Sequence, residues 1–340
     1  AEMEASQIAG ATAEVHRQHP AAVGSGPVRI SVVVSTCNRA GDLPQLFEAL
    51  ERQTANANGA WELVIVDNRS TDATAQTLRA LAEQATFPVT CVFEGRQGKS
   101  YGLNAGIEAA RGDIIAFTDD DGVPAEDWLE RLQTHFDARA QAGCVGGRVE
   151  LFDPADAPIT IRTSREPTVV DISSFAAFDI PVIGCNMAIR RQVLHELGPY
   201  DVNLGPGARA GTAEDVDMLY RLVSGGHRIE YDPAVLVLHN HGRRTPEQIA
   251  RVRSAYLMGR GAFYCKHALA GDRRVMRWAY WELRPLLGRW VRNGLAGPAA
   301  RSALRDLSLI VTGAMRYLRY RVPEPSRRPD TKTQCGANNA

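Results

Sequence analysis

The sequence predicts an α/β fold in which a mostly parallel sheet is flanked by helices. Short β-branched runs alternate with amphipathic segments from Arg29 to Ala138, a pattern that implies right-handed crossovers between parallel strands. Four of the runs end in polar loops of unusual composition: Thr36–Arg39, Asp67–Asp72, Glu94–Lys99 and Asp119–Asp121. Loops that follow parallel strands share one rim of the sheet, and in open α/β sheets that rim binds ligands. The last loop is an unbroken acid triplet behind the apolar run Ile114–Phe117.

Taken in order, Arg29–Ser35 reads as a strand and is followed by a helix with Leu43, Leu46, Phe47 and Leu50 at i, i+3, i+4, i+7, with Pro44 in its first turn. Trp61–Val66 is the second strand, and its loop offers Ser70, Thr71 or Asp72 as a helix cap. Val89–Phe93 is the third, with Ser100 capping a helix over Tyr101–Ala110, and Ile114–Thr118 is the fourth. A helix bearing Trp128, Leu129, Leu132 and Phe136 precedes a strand through Val145–Leu151. Residues 153–180 give no clear pattern. Val182–Ile189 reads as a strand broken by Gly184-Cys185-Asn186, and a short helix over Arg190–Leu197 stops at Gly198-Pro199. Asn203–Thr212, with three glycines and a proline, is a candidate lid. A helix opens at Glu214-Asp215, and Arg228–Tyr231 and Ala234–Leu238 read as two short strands before His239-Asn240-His241.

At 340 residues, with 44% hydrophobic and 23% charged side chains, the chain has the composition of an ordinary globular protein able to bury a large core. Its formal net charge of +0 gives no global field for nucleic acid. That average conceals an asymmetry: Arg243–Arg328 holds 19 Lys/Arg against 5 Asp/Glu, so the remainder is acidic. The six cysteines show no metal-like spacing, which favours reduced thiols in a cytoplasmic setting. Cys37 is read as a small buried thiol. The first 27 residues lack the apolar segment of a signal peptide, and no uncharged apolar run reaches 18 residues. The expected organisation is a flexible or partly helical leader at 1–27, a main α/β domain at 28–242, a basic amphipathic helical region at 243–322 and a disordered tail at 323–340.

Three adjacent carboxylates repel one another, so a buried strand that ends in them points to a positive partner, a divalent cation being the simplest. Oxygen ligation by one or two carboxylates plus substrate phosphates is how Mg²⁺ is usually held. The alternative is a solvated acidic turn leading into the helix near Ala125. An EF-hand is excluded: with Gly122 as its central glycine, position one falls on Phe117.

The ordered set Ser35-Thr36-Cys37-Asn38-Arg39, Val66 to Asp72, Gly98 to Gly106, Asp119-Asp120-Asp121, Asn186 to Arg191 and Glu214-Asp215 resembles the family 2 glycosyltransferases of the Rossmann-like GT-A fold, across residues 28–242. Two positions depart from that pattern: Arg69 stands where the family usually has glycine, and Gly122 follows the acid triplet instead of a further acid. The resemblance implies a nucleoside-diphosphate-sugar donor, a hydroxyl acceptor and Mg²⁺ or Mn²⁺. It implies that Asp119 and Asp121 are the ends of a DxD motif, with Asp121 the direct metal ligand and Asp119 or Asp120 reaching the ribose or a metal-bound water. Asp67 and the loop with Thr36, Asn38 and Arg39 would line the nucleobase pocket, and Lys99 would approach base or phosphate. Asp215 corresponds to the catalytic base of an inverting displacement, with Glu214 orienting it or binding acceptor. His239 is the candidate histidine beside the metal. Each has a plainer reading: Lys99, Arg39 and Arg69 as solvated cations, Asp215 as an acid in a helix's first turn, and His239 as a strand-end hydrogen-bonding group.

Beyond Gly242, arginines flank apolar stripes such as Leu304, Leu307, Val311, Met315 and Leu318, and Trp278, Trp281 and Trp290 lie among further arginines. Such helices suit an anionic membrane surface, packing on the catalytic domain, or a homodimer contact. The first would bring the site to a lipid-linked acceptor or a polysaccharide precursor on the inner face of the membrane. Two other functions fit the class: a sugar nucleotidyltransferase, against which Thr36–Arg39 lacks the glycines of a phosphate loop, and a degenerate transferase serving as a scaffold, against which all three acidic stations are retained.

Overall fold

A computed structural model of the chain describes residues 14–18, 28–55, 61–175, 178–292 and 297–322. Its centre is a mixed, mostly parallel ten-stranded sheet. Strands β2 (Ile30–Thr36), β3 (Trp61–Asp67), β4 (Val89–Phe93) and β5 (Ile114–Phe117) pair in parallel in the order β4-β3-β2-β5. They read as near-continuous apolar runs because both faces are covered. Val32, Val34, Leu63 and Ile65 meet α1 (Leu43–Glu51) and α4 (Trp128–Ala138) on one face. Val33, Val64, Val66 and Phe117 meet α3 (Lys99–Ala109) and α6 (Glu214–Ser224) on the other. Leu43, Leu46 and Leu50 of α1 are almost wholly buried, and each such side chain stabilises by about 1.5–3 kcal/mol.

Past β5 the sheet changes character. The four-residue β9 (Met187–Arg190) inserts antiparallel between β5 and β7 (Ala142–Leu151), and β10 (Arg228–His239) runs parallel to β7. Val182–Ile189 is therefore not one strand: Gly184–Asn186 forms a 3₁₀ turn and only the residues from Met187 pair. The two short strands expected before His239 are one strand with an irregularity between Asp232 and Leu236. The unassigned stretch supplies β8 (Thr168–Val170), which pairs with the first half of β10, while β6 (Gly122–Pro124) pairs with its second half.

The leader corrects one expectation. Glu14–Gln18 is neither loose nor helical; it is β1, antiparallel to β4 along the sheet's outer edge, where an added strand satisfies backbone groups that would otherwise lie open. The expected disordered tail at 323–340 lies outside the described residues. Ser100 caps no helix: α3 already includes it, and its hydroxyl donates to the Leu204 carbonyl at 2.6 Å.

Three helices, α7 (Pro246–Leu269), α8 (Arg273–Arg292) and α9 (Pro298–Tyr320), form a cap on the face that carries α6. A Thr245/Gln248 capping box starts α7. Trp278 of α8 is drawn inward, its ring 5.4 Å from Tyr220 and 5.8 Å from Phe175, whereas Trp281 stays 57% exposed. Packing against α6 and the core beneath it thus accounts for part of the amphipathic pattern. Helices α7 and α9 touch backbone to backbone, since a Cβ added at Gly261 would fall 1.8 Å from the Ile310 carbonyl oxygen. Beneath them, the fully buried Asp217 accepts hydrogen bonds from Arg221 (3.0 Å), Lys266 (3.0 Å) and His267 (2.9 Å), joining α6 to α7. The loop expected as a lid is pinned from both sides: the Lys99 N–H donates to the Pro206 carbonyl at 2.9 Å and the Thr212 N–H to that of Ala255 at 3.1 Å. No described helix is long and apolar enough to cross a membrane.

Candidate active site

The parallel strands deliver their loops to one rim, as the alternation of elements requires. Register sets Thr36 of β2 opposite Asp67 of β3. The two loops beyond are laced by Asn38, whose side-chain oxygen accepts from the Thr71 N–H at 2.7 Å while its own N–H donates to Ser70 Oγ at 2.9 Å. Asn38 and Arg69 both adopt left-handed backbone, φ 56° and 60°. Asn tolerates that conformation, and a glycine preference at position 69 follows from it. Asp67 is 6% exposed, and one of its oxygens accepts from the Ser70 N–H at 2.9 Å.

The acid triplet turns tightly between β5 and β6, which requires glycine next: a Cβ at Gly122 would lie 2.5 Å from Thr118 Oγ1. The three carboxylates take different partners. Asp119 holds the Lys99 ammonium. Asp120 accepts from Thr36 Oγ1 at 2.7 Å, with Arg39 Nε 3.9 Å away. Asp121 lies 3.2 Å from His239 Nε2 and 3.8 Å from Arg39 Nη2. The register of β6 against β10 sets His239 opposite Gly122, so this contact is fixed by strand pairing.

Local electrostatics differ accordingly. Burial, then the Asp121 charge, pushes Asp120 up to about 6 despite Thr36 and Arg39. Burial acts the same way on Asp121, but the hydrogen bond and charge of His239, with Arg39 and Arg243, hold it below the ordinary carboxylate value. For His239, burial works downward while Asp121 and Asp119 more than offset it, leaving the imidazole above its usual value. Burial would likewise lower Lys99, yet Asp119 and Glu214 hold it well above the ordinary lysine value.

Asp215 and Glu214 open α6 and face different ways. Asp215 lines a cavity of about 260 Å³ with Val182, Ile183, Tyr256 and Arg260, and it sits close under the 3₁₀ turn, the Gly184 N–H 3.4 Å from Oδ2. Glu214 instead turns beneath Gly205, with Oε2 buried and unpartnered among the described residues. Burial, then the Asp215 charge, pushes it up to about 8.

Two residues at the site were not singled out from the sequence. Cys185 brings its sulfur within 4.8 Å of ligand atoms of Asp119 and His239. Burial and then Asp119 hold that thiol well above its ordinary value, so it stands there as S–H. Its position is set by Asn186, whose amide donates to the Arg148 and Val235 carbonyls at 2.8 and 3.0 Å and accepts from Trp128 Nε1 at 2.9 Å. The only signal was a Gly-Cys-Asn interruption in an apolar run. Tyr256 comes from the cap, and nothing in the sequence linked it to the rim. His241 packs edge-to-face on His239, 5.1 Å between ring centres, with its Nδ1 3.5 Å from Asp156.

The donor set fits a divalent cation. Opposite ligands of a six-coordinate ion with ~2.1 Å bonds stand about 4.2 Å apart, within the 4.8 Å spread of the Asp119, His239 and Cys185 atoms, and Asp121 borders His239. The carboxylate oxygens suit Mg²⁺ or Mn²⁺, the imidazole adds a nitrogen donor more typical of the later transition metals, and a protonated thiol contributes little.

The profile of glycosyl transferase family 2 matches residues 31–198, from the first parallel strand to the end of the helix after β9. Those residues form a glycosyl transferase family 2 domain. An uncharacterized glycosyltransferase of Nostoc sp. is 29% identical over 179 residues, 51% of this chain and 54% of that protein. The pre-mycofactocin glycosyltransferase of Mycobacterium tuberculosis is 29% identical over 164 residues, 46% of this chain and 33% of that one. The chain thus spans about half the length of the first relative and a third of the second. A mannosyltransferase of Pyrobaculum calidifontis, solved in complex with GDP-Man and Mn²⁺, matches 88% of this chain and 91% of its own with a TM-score of 0.60 at 19% identity. The chain therefore has the GT-A architecture, with helices at its C-terminal end.

Proposed function

We propose that the protein is a metal-dependent inverting glycosyltransferase that moves a sugar from a nucleoside-diphosphate sugar to a hydroxyl acceptor. The observation that carries this reading is the convergence of Asp67, Lys99, the acid triplet, His239 and Asp215 around one rim, from segments far apart in the chain. Thr36, Asn38, Arg39 and Asp67 border the pocket for the nucleobase and ribose, with Asp120 closing it through Thr36. Asp119, Asp121 and His239 would hold Mg²⁺ or Mn²⁺, which supplies positive charge to the departing diphosphate. The structural neighbour solved with GDP-Man and Mn²⁺ supports that chemistry. Lys99 adds a fixed cation on the same side.

Asp215 takes the proton of the acceptor hydroxyl as it attacks the anomeric carbon, a role worth roughly 10²–10⁴-fold in rate. Its place on the cavity wall supports this assignment, because an acceptor must reach it from outside. Glu214, behind Gly205 and coupled to Lys99, acts as a positioning residue.

The test uses thermal unfolding with GDP or UDP and Mn²⁺, followed by metal-dependent hydrolysis of a panel of nucleotide sugars. A nucleotide should raise the melting temperature only with metal, and Asp121→Ala should abolish that rise. Asp215→Asn should keep the rise and lose transfer. Normal transfer by Asp215→Asn would remove the base assignment, and no metal-dependent nucleotide effect in the wild type would remove the transferase reading.

A further inference from the structure

The cavity beside Asp215 does not end at the catalytic domain. Tyr256 and Arg260 of α7 line it, and they also line a second cavity of about 520 Å³ between the cap helices. That volume lies in the ~300–1,000 Å³ range of small-molecule sites. Its walls include Ile159, Ile249, Val252 and Leu257. Ile249, Val252, Tyr256 and Arg260 recur every three or four residues, so they form one stripe of α7, and this stripe faces the gap instead of a neighbouring helix. Around Gly261 and Gly313, α7 and α9 touch backbone to backbone. Near Arg253 and Asp306 they are held by an ion pair of long side chains, 2.8 Å from nitrogen to oxygen.

The groups at the cavity rim indicate its occupant. Arg253 and Arg260 pair with Asp306 and Glu282, so the charges on the wall are opposed in pairs between the apolar Ile159, Ile249, Val252 and Leu257. Outside, α8 and α9 expose Tyr280, Trp281, Val311 and Met315, each more than half exposed. Residues 273–322 carry 11 arginines and only two acids, the Glu282 and Asp306 already engaged inward. An arginine-rich, aromatic outer face complements anionic lipid, and the apolar gap opens between the helices that bear that face.

We propose that the cavity between α7, α8 and α9 binds the hydrocarbon chain of a lipid-linked acceptor whose head-group hydroxyl meets Asp215. This rests on the transferase reading above. Tyr256 stands at the junction of the two cavities, where it separates head group from chain and positions the former.

A simple amphiphile serves as the probe. Binding of a pyrene-tagged dodecyl glycoside below its micellar concentration is read by fluorescence on the full chain, beside an ethyl glycoside as competitor. Metal-dependent donor hydrolysis is measured on the same samples. The expected result is saturable binding that ethyl glycoside does not displace, and at least tenfold weaker binding in Val252→Trp, which fills the cavity, with donor hydrolysis unchanged. Ile249→Trp provides a second occlusion should Val252→Trp fail to fold. No saturable binding by the wild type, or equal binding by a folded occluded variant, overturns the proposal while leaving donor hydrolysis, and so the transferase reading, intact. Displacement by ethyl glycoside also overturns it, because the head group alone would then account for binding.

Discussion

Replacing Asp217 by alanine is expected to loosen the cap before it disturbs the sheet. The carboxylate is fully buried and accepts from Arg221, Lys266 and His267 at 2.9–3.0 Å. Breaking a buried ion pair from one side typically costs about 3–5 kcal/mol. Here Lys266 retains Asp201 at 3.0 Å, and Arg221 retains the carbonyls of Leu197 and Pro199 at 2.9 Å, so the loss belongs at the lower end, about 3 kcal/mol. At roughly 2–4 °C per kcal/mol for a large domain, the melting temperature should fall by about 6–12 °C. Circular dichroism melts measure the shift, and limited proteolysis should show cleavage in α7–α9 ahead of the sheet. A fall below about 3 °C with an unchanged cleavage pattern would refute the claim that this carboxylate fastens the cap. The pH dependence has a definite sign. Burial opposes ionisation, but Lys266, Arg221 and His267 hold the folded carboxyl far below its ordinary value of 3.8. Its stabilisation is complete above that value and is lost as pH falls toward the folded one. The stability gap between wild type and Asp217→Asn should be flat above about pH 5 and narrow below about pH 4.

Glu214 gives the opposite slope. Its carboxyl titrates at about 8 in the folded chain against an ordinary 4.5, so the folded state holds an extra proton between those values and loses stability as pH rises through them. The stability of wild type relative to Glu214→Gln should therefore decline from pH 5 to pH 8, and a pH-independent difference would contradict the buried, unpartnered carboxyl. Gly261→Ala and Gly313→Ala each drive a Cβ to 1.8 Å from a carbonyl oxygen of the facing helix; each should cost about 1–3 kcal/mol in urea unfolding, and an unchanged midpoint would mean that α7 and α9 do not make this contact.

The parallel half of the sheet was legible because both of its faces are buried. Val32 to Val34 and Leu63 to Val66 therefore carry no polar break, and strand ends coincide with changes in composition. The shared rim followed from that, and with it the meeting of the Thr36 loop with Asp67 and the acid triplet. The antiparallel insertion was less visible: β9 has four residues, and the Gly-Cys-Asn turn before it looks like a break in a longer strand. Strand β1 has polar residues at four of its five positions, Glu14, His16, Arg17 and Gln18, as an edge strand can. Asn203–Thr212 looked mobile because it is rich in glycine. Two of those glycines serve close approach instead: a Cβ at Gly211 would lie 2.3 Å from the Gly259 nitrogen, and one at Gly207 3.1 Å from Gly98 Cα. Cys185 and Tyr256 reach the site through contacts far apart in the numbering, and only tertiary structure reveals these.

One turn of α6 separates nothing: Asp215 points to the outer cavity and Asp217, two residues on, is clamped by Lys266 and His267 of α7. Whatever tilts the cap must therefore tug on the very segment that sets the angle of Asp215. A chimera that trades these three helices for those of another protein would need to import a matching α6 as well, and a chain cut after Gly242 would leave a buried anion two residues from Asp215 without its α7 partners.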